Sequence, residues 1–401
     1  MKTCLVSLVS DQTIPNILVA TELKPDYLLL ISTASMEKKQ KSRAILDTLL
    51  SLGMDYNKNS KILNIVEDSI SDFYEKVVGW HTTNKQSYDF TVNLTCGTKI
   101  MALSAYEFFK AYDAKIVYMP IPRNFYFPIH HPNSKVPIKH RLSVEAYLSS
   151  YGVAVSNQDK LAKIKNDATQ RYQTTMFLYD QYKELFPLLQ TIGKKLRQLK
   201  EKDFKNGYEF SLNYSFRNQS EEKLMTDLGY SYQNSVISKK IYKTDWNYLR
   251  GGWLEERVFK AIESILPLNS DILMNVCCKA RGTENEYDVL FTLDNVLYVV
   301  ECKSLDAPEG RNPEIKGNIN EFLYKLGALR QDFGITPKGI LATTSSDILT
   351  QKKELKPHII KRGNQFNTTI APLLIIKDLE DYFEKLLFDN LKRSSQNGNI
   401  D

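Results

Sequence analysis

The residues best equipped for chemistry lie in and around Val296–Ser304, which reads VLYVVECKS. Glu301 and Lys303 are two positions apart, so on a strand their side chains share one face. Leu297 and Val299 continue that face, while Val296, Tyr298, Val300 and Cys302 form the other. With both faces largely apolar, the strand belongs inside a sheet. A carboxylate and a lysine buried there are costly unless a metal or a partner charge answers them. Asp288 lies on the preceding apolar run, Tyr287 to Leu293, and Asp294-Asn295 between the two runs reads as a tight hairpin turn. The hairpin brings Asp288 to Glu301 and Lys303. Upstream, Leu254, Val258, Ile262 and Ile265 recur at helical spacing, and Glu255 flanks that stripe, where it can face the sheet. Three carboxylates (Glu255, Asp288 and Glu301) suit a hard divalent ion such as magnesium or manganese. A lysine beside such an ion can orient its water or steady charge building on phosphorus.

Some assignments stay open at this level. Glu255 and Glu256 are adjacent; the apolar spacing favours Glu255 as the helix ligand. Glu286 shares a face with Asp288 and reads equally as a further ligand or as a solvent carboxylate at the strand start. The competing reading of Glu301 and Lys303 is an edge-strand salt bridge, against which the apolar character of the strand argues.

The elements that position these groups form the last of three segments. At 401 residues the chain exceeds one ordinary core. From Leu5 to Met119, short apolar strands alternate with helices: strands at Leu5–Val9, Tyr27–Ile31, Ile62–Val66, Phe90–Leu94 and Lys115–Met119, helices at Ile17–Leu23, Met36–Leu52, Ser69–Val78 and Ile100–Tyr112. That alternation predicts a parallel α/β sheet of Rossmann type. Prolines from Pro120 to Pro137 then crowd a stretch without periodicity and mark the edge of a first domain, residues 1–142. Residues 143–245 read as a mostly helical connecting region, with a helix break at Pro187 and Tyr208–Tyr232 unassigned. Its basic run from Lys194 to Lys205 reads as a solvated helix face ahead of a phosphate contact. Residues 246–401 carry the helix and hairpin described above, then a helix at Ile319–Phe333, strands at Gly339–Thr343 and Leu373–Ile376, a helix at Leu379–Leu387 and a polar, disordered tail from Lys392.

Composition is that of an ordinary soluble protein, 42% hydrophobic and 25% charged. The net charge of +6 is compatible with a nucleic-acid partner but too small to demand one. Cys4, Cys96, Cys277, Cys278 and Cys302 lack CxxC spacing and read as reduced thiols, not a zinc site. Asp11 interrupts the apolar start MKTCLVSLVS, and no stretch approaches a membrane span. The expected location is the cytoplasm.

Within the first domain, Asn93-Leu94-Thr95-Cys96-Gly97-Thr98-Lys99-Ile100-Met101 is a strand end turning into a helix. Small residues there let backbone N–H groups approach an anion, the helix N-terminus adds partial positive charge, and Lys99 can add a contact. The loops Ser10-Asp11-Gln12-Thr13 and Ser32-Thr33 leave other strands at the side where such sheets bind ligands. GxGxxG and Walker A motifs are absent, which disfavours a standard dinucleotide or NTP fold. Alone, the segment reads equally as a serine/threonine helix cap.

Two resemblances join these segments. Asp288, then Glu301-x-Lys303, after a helix carrying Leu254-Glu255, resembles the PD-(D/E)xK nuclease core, with Tyr287 where many members have proline. N-x-T-x-G-T-K-x-M at residues 93–101 resembles the motif of CARF domains, the Rossmann-fold sensors of type III CRISPR ancillary nucleases. The joint resemblance covers about residues 1–142 and 246–390. It implies a homodimer activated by cyclic tetra-adenylate, bound across the two-fold against the loops carrying Ser10, Asp11, Gln12 and Thr13 and Thr95, Cys96, Gly97, Thr98, Lys99 and Met101; Ser32 and Thr33 join these candidates by their strand-end position. It further implies cleavage of single-stranded DNA, single-stranded RNA or both, and nicking of supercoiled duplex. The alternative is an ungated DNA-repair or restriction nuclease whose first domain binds a nucleotide or a partner. A decayed, non-enzymatic sensor is disfavoured by the intact Glu255, Asp288, Glu301 and Lys303.

Overall fold

The computed structural model describes residues 1–280, 282–304 and 318–389, and among these three sheets form. The first contains five parallel strands in the order β3-β2-β1-β4-β5: β1 (Lys2–Leu8), β2 (Tyr27–Thr33), β3 (Ser60–Ile65), β4 (Tyr88–Asn93) and β5 (Lys115–Tyr118). Helices α1 (Ile14–Leu23), α2 (Ala34–Lys38), α3 (Lys41–Ser51), α4 (Ile70–Asn84) and α5 (Lys99–Lys110) connect them. Leu5 packs into one apolar cluster and Val6 and Leu8 into another, so β1 is covered on both faces. Because β1 lies between β2 and β4, the strand order reverses there, and the loops after β1 and β4 open at the same switch point.

One helix of the sequence reading divides. The single helix at Met36–Leu52 is two helices, α2 and α3, parted where Gln40 takes a left-handed conformation with φ 55°. The proline-rich stretch, without periodicity in the sequence, carries β6 (Phe125–Pro128) and β7 (Val136–Pro137), which extend the sheet antiparallel at its edge, where missing N–H donors are tolerated.

The connecting region contains α6 (Val144–Ser150), β8 (Ala154–Val155), α7 (Gln158–Gln170), α8 (Tyr172–Asp180) and α9 (Tyr182–Leu196). The helical run breaks at Arg171 and Gln181, not at Pro187, which lies inside α9. Leu185, Leu188, Leu189, Ile192 and Leu196 form a buried stripe there, and its burial outweighs one missing backbone bond. The region is not only helical. An antiparallel sheet ordered β10-β11-β9 follows, built from β9 (Tyr208–Asn213), β10 (Ser231–Gln233) and β11 (Val236–Ile241), with α10 (Gln219–Asp227) between β9 and β10. Each strand buries few side chains, Phe210 in β9 and Ile237 and Ile241 in β11, so alternation was too weak to announce them.

After α11 (Lys243–Asn247) and α12 (Trp253–Ile265) comes the third sheet, ordered β16-β15-β14-β13-β12-β8. Its strands are β12 (Asp271–Ala280), β13 (Thr283–Leu293), β14 (Val296–Lys303), β15 (Lys338–Thr343) and β16 (Thr368–Pro372). The first three are antiparallel, and β14, β15 and β16 run parallel. Asp294 and Asn295, with φ of 52° and 61°, make the hairpin turn. Helices α13 (Asn318–Arg330), α14 (Pro357–Gln365) and α15 (Leu379–Glu384) complete the segment. The strand expected at Leu373–Ile376 ends earlier: Pro372 closes β16, and Leu373–Ile375 forms a 3-10 turn. The tail expected to be disordered from Lys392 lies outside the described residues.

Two cores sandwich the third sheet. On one face, Leu254, Val258 and Ile262 of α12 meet Val289, Phe291 and Val300. On the other, Leu323 and Leu326 of α13 and Tyr147 of α6 meet Leu290, Leu297 and Val299, and this core continues into Ile17 and Leu18 of α1. The first and third sheets therefore share one apolar core through α6.

Helix α12 is tied to α15 by Arg257, whose side chain is 2% exposed and reaches both carboxylate oxygens of Glu380 at 2.7 and 2.8 Å. Removing Glu380 strands a buried guanidinium, although Glu380 itself, 30% exposed, keeps some contact with water. Glu380→Ala should destabilise the fold by roughly 2–3 kcal/mol in urea unfolding. Asp381→Ala, which breaks an exposed pair with Lys385, should cost less than about 0.5 kcal/mol. Equal effects would contradict this account of how α12 is held.

Candidate functional site

The β13–β14 ladder runs from Leu293–Val296 to Val289–Val300, and Asp288 and Glu301 lie just past its end. There Asp288 Oδ2 accepts a hydrogen bond from the Cys302 N–H at 2.6 Å. The Lys303 ammonium lies 2.7 Å from Glu301 Oε1 and 3.7 Å from Asp288 Oδ2. The Glu301 side chain is only 3% exposed and that of Lys303 24%. The ring of Phe322 on α13, 5.0 Å from the ammonium, roofs the lysine stem.

Glu255, in the first turn of α12, belongs to the same group. Burial, then the Asp288 carboxylate, pushes its pKa up to about 8 against the opposing pull of Lys303. Lys303 shows the converse. Burial alone would lower its pKa, but Asp288 and Glu301 outweigh it and hold the ammonium charged. Of the adjacent pair, Glu256 faces elsewhere: it pairs with Arg171 and accepts from Thr175 at 3.4 Å. Sequence reasoning had no signal for Arg171. Glu286 stays exposed, close enough for its charge to act on Glu255. Gly251, at φ 142°, lets the backbone entering α12 approach β14: a Cβ there would lie 3.0 Å from Ser304 Oγ. Among the described residues no group of three or more His, Cys, Asp or Glu side chains is assembled at metal-holding distances. Lys303 serves as counter-ion instead.

At the first sheet's switch point, the expected ligand residues divide into two sets. Ser10, Asp11, Gln12, Thr95, Gly97, Thr98 and Lys99 are exposed or partly exposed. Thr13, Ser32, Thr33, Cys96 and Met101 are buried, with side chains committed inside the protein. Thr13 bonds Ser150 at 3.3 Å, Ser32 bonds Glu37, Thr33 caps α2 at Met36 N, and Cys96 Sγ donates to the Gln12 carbonyl at 3.1 Å. Met101 supports the turn into α5, where Thr98 Oγ1 accepts from its N–H at 3.2 Å. Gly97, at φ 80°, lies against β1; a Cβ would meet Leu8 Cβ at 3.0 Å. The two loops of the switch point are thus fastened to each other.

Gln12 also reaches beyond the first sheet. Its side-chain oxygen accepts from the Tyr151 hydroxyl and from the Ile335 N–H, both at 3.3 Å. Ile335 stands in the turn just before β15. Neither partner was visible in the sequence, since both contacts span more than a hundred residues. A cleft of about 1090 Å³ opens beside this junction, lined by Lys38, Lys39, Lys41, Arg43, Ser149 and Tyr151 and apart from the carboxylates. Among the described residues no helix is long and apolar enough to cross a membrane.

Residues 4–147 match the family of the Card1 CARF domain, and residues 243–365 match the Card1-like endonuclease domain. No match was found among curated protein sequences. The fold is that of protein VC1899 from Vibrio cholerae, with TM-score 0.75, 19% identity and coverage of 96% of this chain and 97% of that one. It is also that of Can2 from Sulfobacillus thermosulfidooxidans, solved with cyclic tetra-adenylate, with TM-score 0.68, 18% identity and coverage of 96% and 98%. The chain belongs to the Card1-like CARF endonucleases, with a CARF domain at its N-terminus and an endonuclease domain towards its C-terminus.

Proposed function

We propose that this protein is a metal-dependent nuclease of type III CRISPR defence, switched on by cyclic tetra-adenylate, acting as a cytoplasmic homodimer. Its substrates are single-stranded DNA, single-stranded RNA or both, with nicking of supercoiled duplex. Residues 1–142 are the sensor, 143–245 the connecting region and 246–401 the nuclease. The observation that carries this reading is the Lys303 ammonium among Glu255, Asp288 and Glu301 at the end of a buried strand. The ligand assignment is supported by likeness over nearly the whole chain to Can2, a protein solved with cyclic tetra-adenylate.

Three carboxylates stand against one ammonium, and burial, then the Asp288 charge, raises Glu255 to about 8, so the site suits a hard divalent cation. Glu255, Asp288 and Glu301 would hold Mn2+ or Mg2+. Such an ion supplies Lewis acidity and a more acidic water. The protein's own residues do the rest. The Cys302 N–H fixes the Asp288 carboxylate. Lys303, held charged by its neighbours, steadies negative charge growing on a phosphate oxygen. The apolar strand around them limits water.

In the sensor, the backbone N–H groups of Cys96, Gly97 and Lys99 at the start of α5, with the Lys99 ammonium and Ser10–Gln12, suit the phosphates of a cyclic oligonucleotide. A two-fold-symmetric ligand on the axis of a dimer contacts both sensors and favours one arrangement of the subunits. Gln12 carries a change in the ligand loop to Tyr151 and to the turn before β15.

Glu301→Ala and Lys303→Ala should each abolish cleavage of single-stranded DNA and RNA while leaving calorimetric binding of cyclic tetra-adenylate intact. Wild-type-like cleavage by either variant would end the assignment at this site.

The raised pKa of Glu255 makes stability pH-dependent. The folded protein keeps a proton on Glu255 up to about 8, whereas the unfolded chain releases it near the ordinary 4.5. Stability from this group is therefore full below the ordinary value and is lost as pH rises through about 8. In metal-free buffer, the melting temperature of wild type should fall across that window more steeply than that of Glu255→Gln. Parallel slopes would show that neither burial nor the neighbouring Asp288 raises the pKa of Glu255.

A further inference from the structure

Asp288 sits where two neighbouring strands change face together. In β12, Ile272 and Met274 pack into the core beneath α12, whereas Val276 and Cys278 pack into the opposite core. In β13, Val289 and Phe291 face α12, whereas Tyr287 faces away from it. Side chains two apart on a regular strand share a face, so each strand makes a half-turn, at Asn275 and at Asp288. The ladder pairs Met274 with Val289 and Val276 with Tyr287 and passes over the two residues between. Asn275 is left-handed, φ 50°, a conformation that asparagine tolerates better than most residues.

A residue from outside the nuclease segment holds this distortion. Asn157 Nδ2 donates to the Asn275 carbonyl at 2.8 Å, and Asn157 Oδ1 accepts from the Cys277 N–H at 2.9 Å. The two bonds bracket the half-turn of β12. Asn157 is 9% exposed and immediately precedes α7, where an asparagine ordinarily caps its own helix. Here it makes no side-chain cap; both ends of its amide are spent on β12. The approach is fixed by β8, which pairs with Cys278 and Lys279, and by the Ser156 N–H donating to the Cys277 carbonyl at 2.8 Å.

We propose that Asn157 is a positioning residue for Asp288: by holding Asn275 left-handed it keeps β13 turned, so that the Asp288 carboxylate meets the Cys302 N–H beside Glu301 and Lys303. The inference rests on the reading of Asp288 as a metal ligand. It also gives the connecting region a part in the site, because the same segment is bonded to the sensor through Ser149 to Thr48 at 3.0 Å and Ser150 to Thr13 at 3.3 Å.

The test is calorimetric titration of the full-length protein with Mn2+ alone, beside cleavage kinetics with saturating cyclic tetra-adenylate. Asn157→Ala should lose about 10- to 100-fold in Mn2+ affinity and a similar factor in kcat, with substrate KM and activator affinity unchanged. Unchanged Mn2+ affinity in a folded Asn157→Ala overturns the proposal. Should that variant not fold, Asn275→Val, which opposes the left-handed turn, should lose Mn2+ affinity while Asn275→Gly retains it. Equal affinities in those two also overturn it. Wild-type protein that binds no Mn2+ would overturn the metal reading itself, whereas binding wild type with unaffected variants overturns only the role of Asn157.

Discussion

The attraction between Lys303 and the carboxylates of Glu301 and Asp288, at the inner end of β14, is the constraint on which the rest of the nuclease segment depends. Charges taken out of water are costly unless geometry compensates them closely. The surrounding structure is arranged to supply that geometry. Gly251 lets the backbone entering α12, ahead of Glu255, come up against Ser304, just past the end of β14. Strand β13 leaves its ladder at Val289 and turns Asp288 onto the Cys302 N–H. Phe322 covers the lysine stem from α13. Glu255, Asp288 and Glu301 outnumber the one ammonium, and burial together with Asp288 raises the pKa of Glu255.

The same region is physically continuous with the sensor. Leu290, Leu297 and Val299 of the endonuclease sheet share a core with Tyr147 of α6 and with Ile17 and Leu18 of α1, the helix that follows the loop after β1. Polar contacts cross at the same place: Gln12 to Tyr151 and to Ile335 N, and Thr13 to Ser150. A packed interface of this type is bistable more readily than it is elastic, so small shifts of a loop translate into discrete rearrangements. Gln12 is well placed for such a transfer, because it lies beside Ser10 and Asp11 on the loop while its side chain faces the nuclease.

The elements around the site were legible in the sequence where local rules were strong. The apolar run from Val296 to Lys303, the Asp294-Asn295 turn and the stripe of α12 were readable because alternation, positive-φ residues and helical periodicity each point one way. The same held for the five parallel strands. Legibility failed where structure comes from contacts distant in sequence. The β9–β11 sheet buries too few side chains to announce itself, and α9 runs through Pro187 because an apolar stripe outweighs one lost hydrogen bond. Helix α2 parts from α3 at a single left-handed Gln40, which no residue type demanded. At the site, spacing favoured Glu255 over Glu256, but the reason Glu256 is engaged elsewhere, Arg171, stands in another segment. The loops that leave β1 and β4 lie where the sequence placed them, yet composition could not tell which of their small residues would turn inward, as Thr13 and Cys96 do.

The central claim is that the ligand, not the metal, sets activity. The most direct measurement is the rate of cleavage of single-stranded DNA and RNA by the full-length protein in saturating Mn2+, with and without cyclic tetra-adenylate, with mass determined by light scattering in both states. The account predicts a dimer throughout, little cleavage with metal alone, and a rate that rises with ligand occupancy and saturates with it. A monomer in both states, or equal cleavage without the ligand, would contradict it, the latter favouring an ungated repair or restriction nuclease.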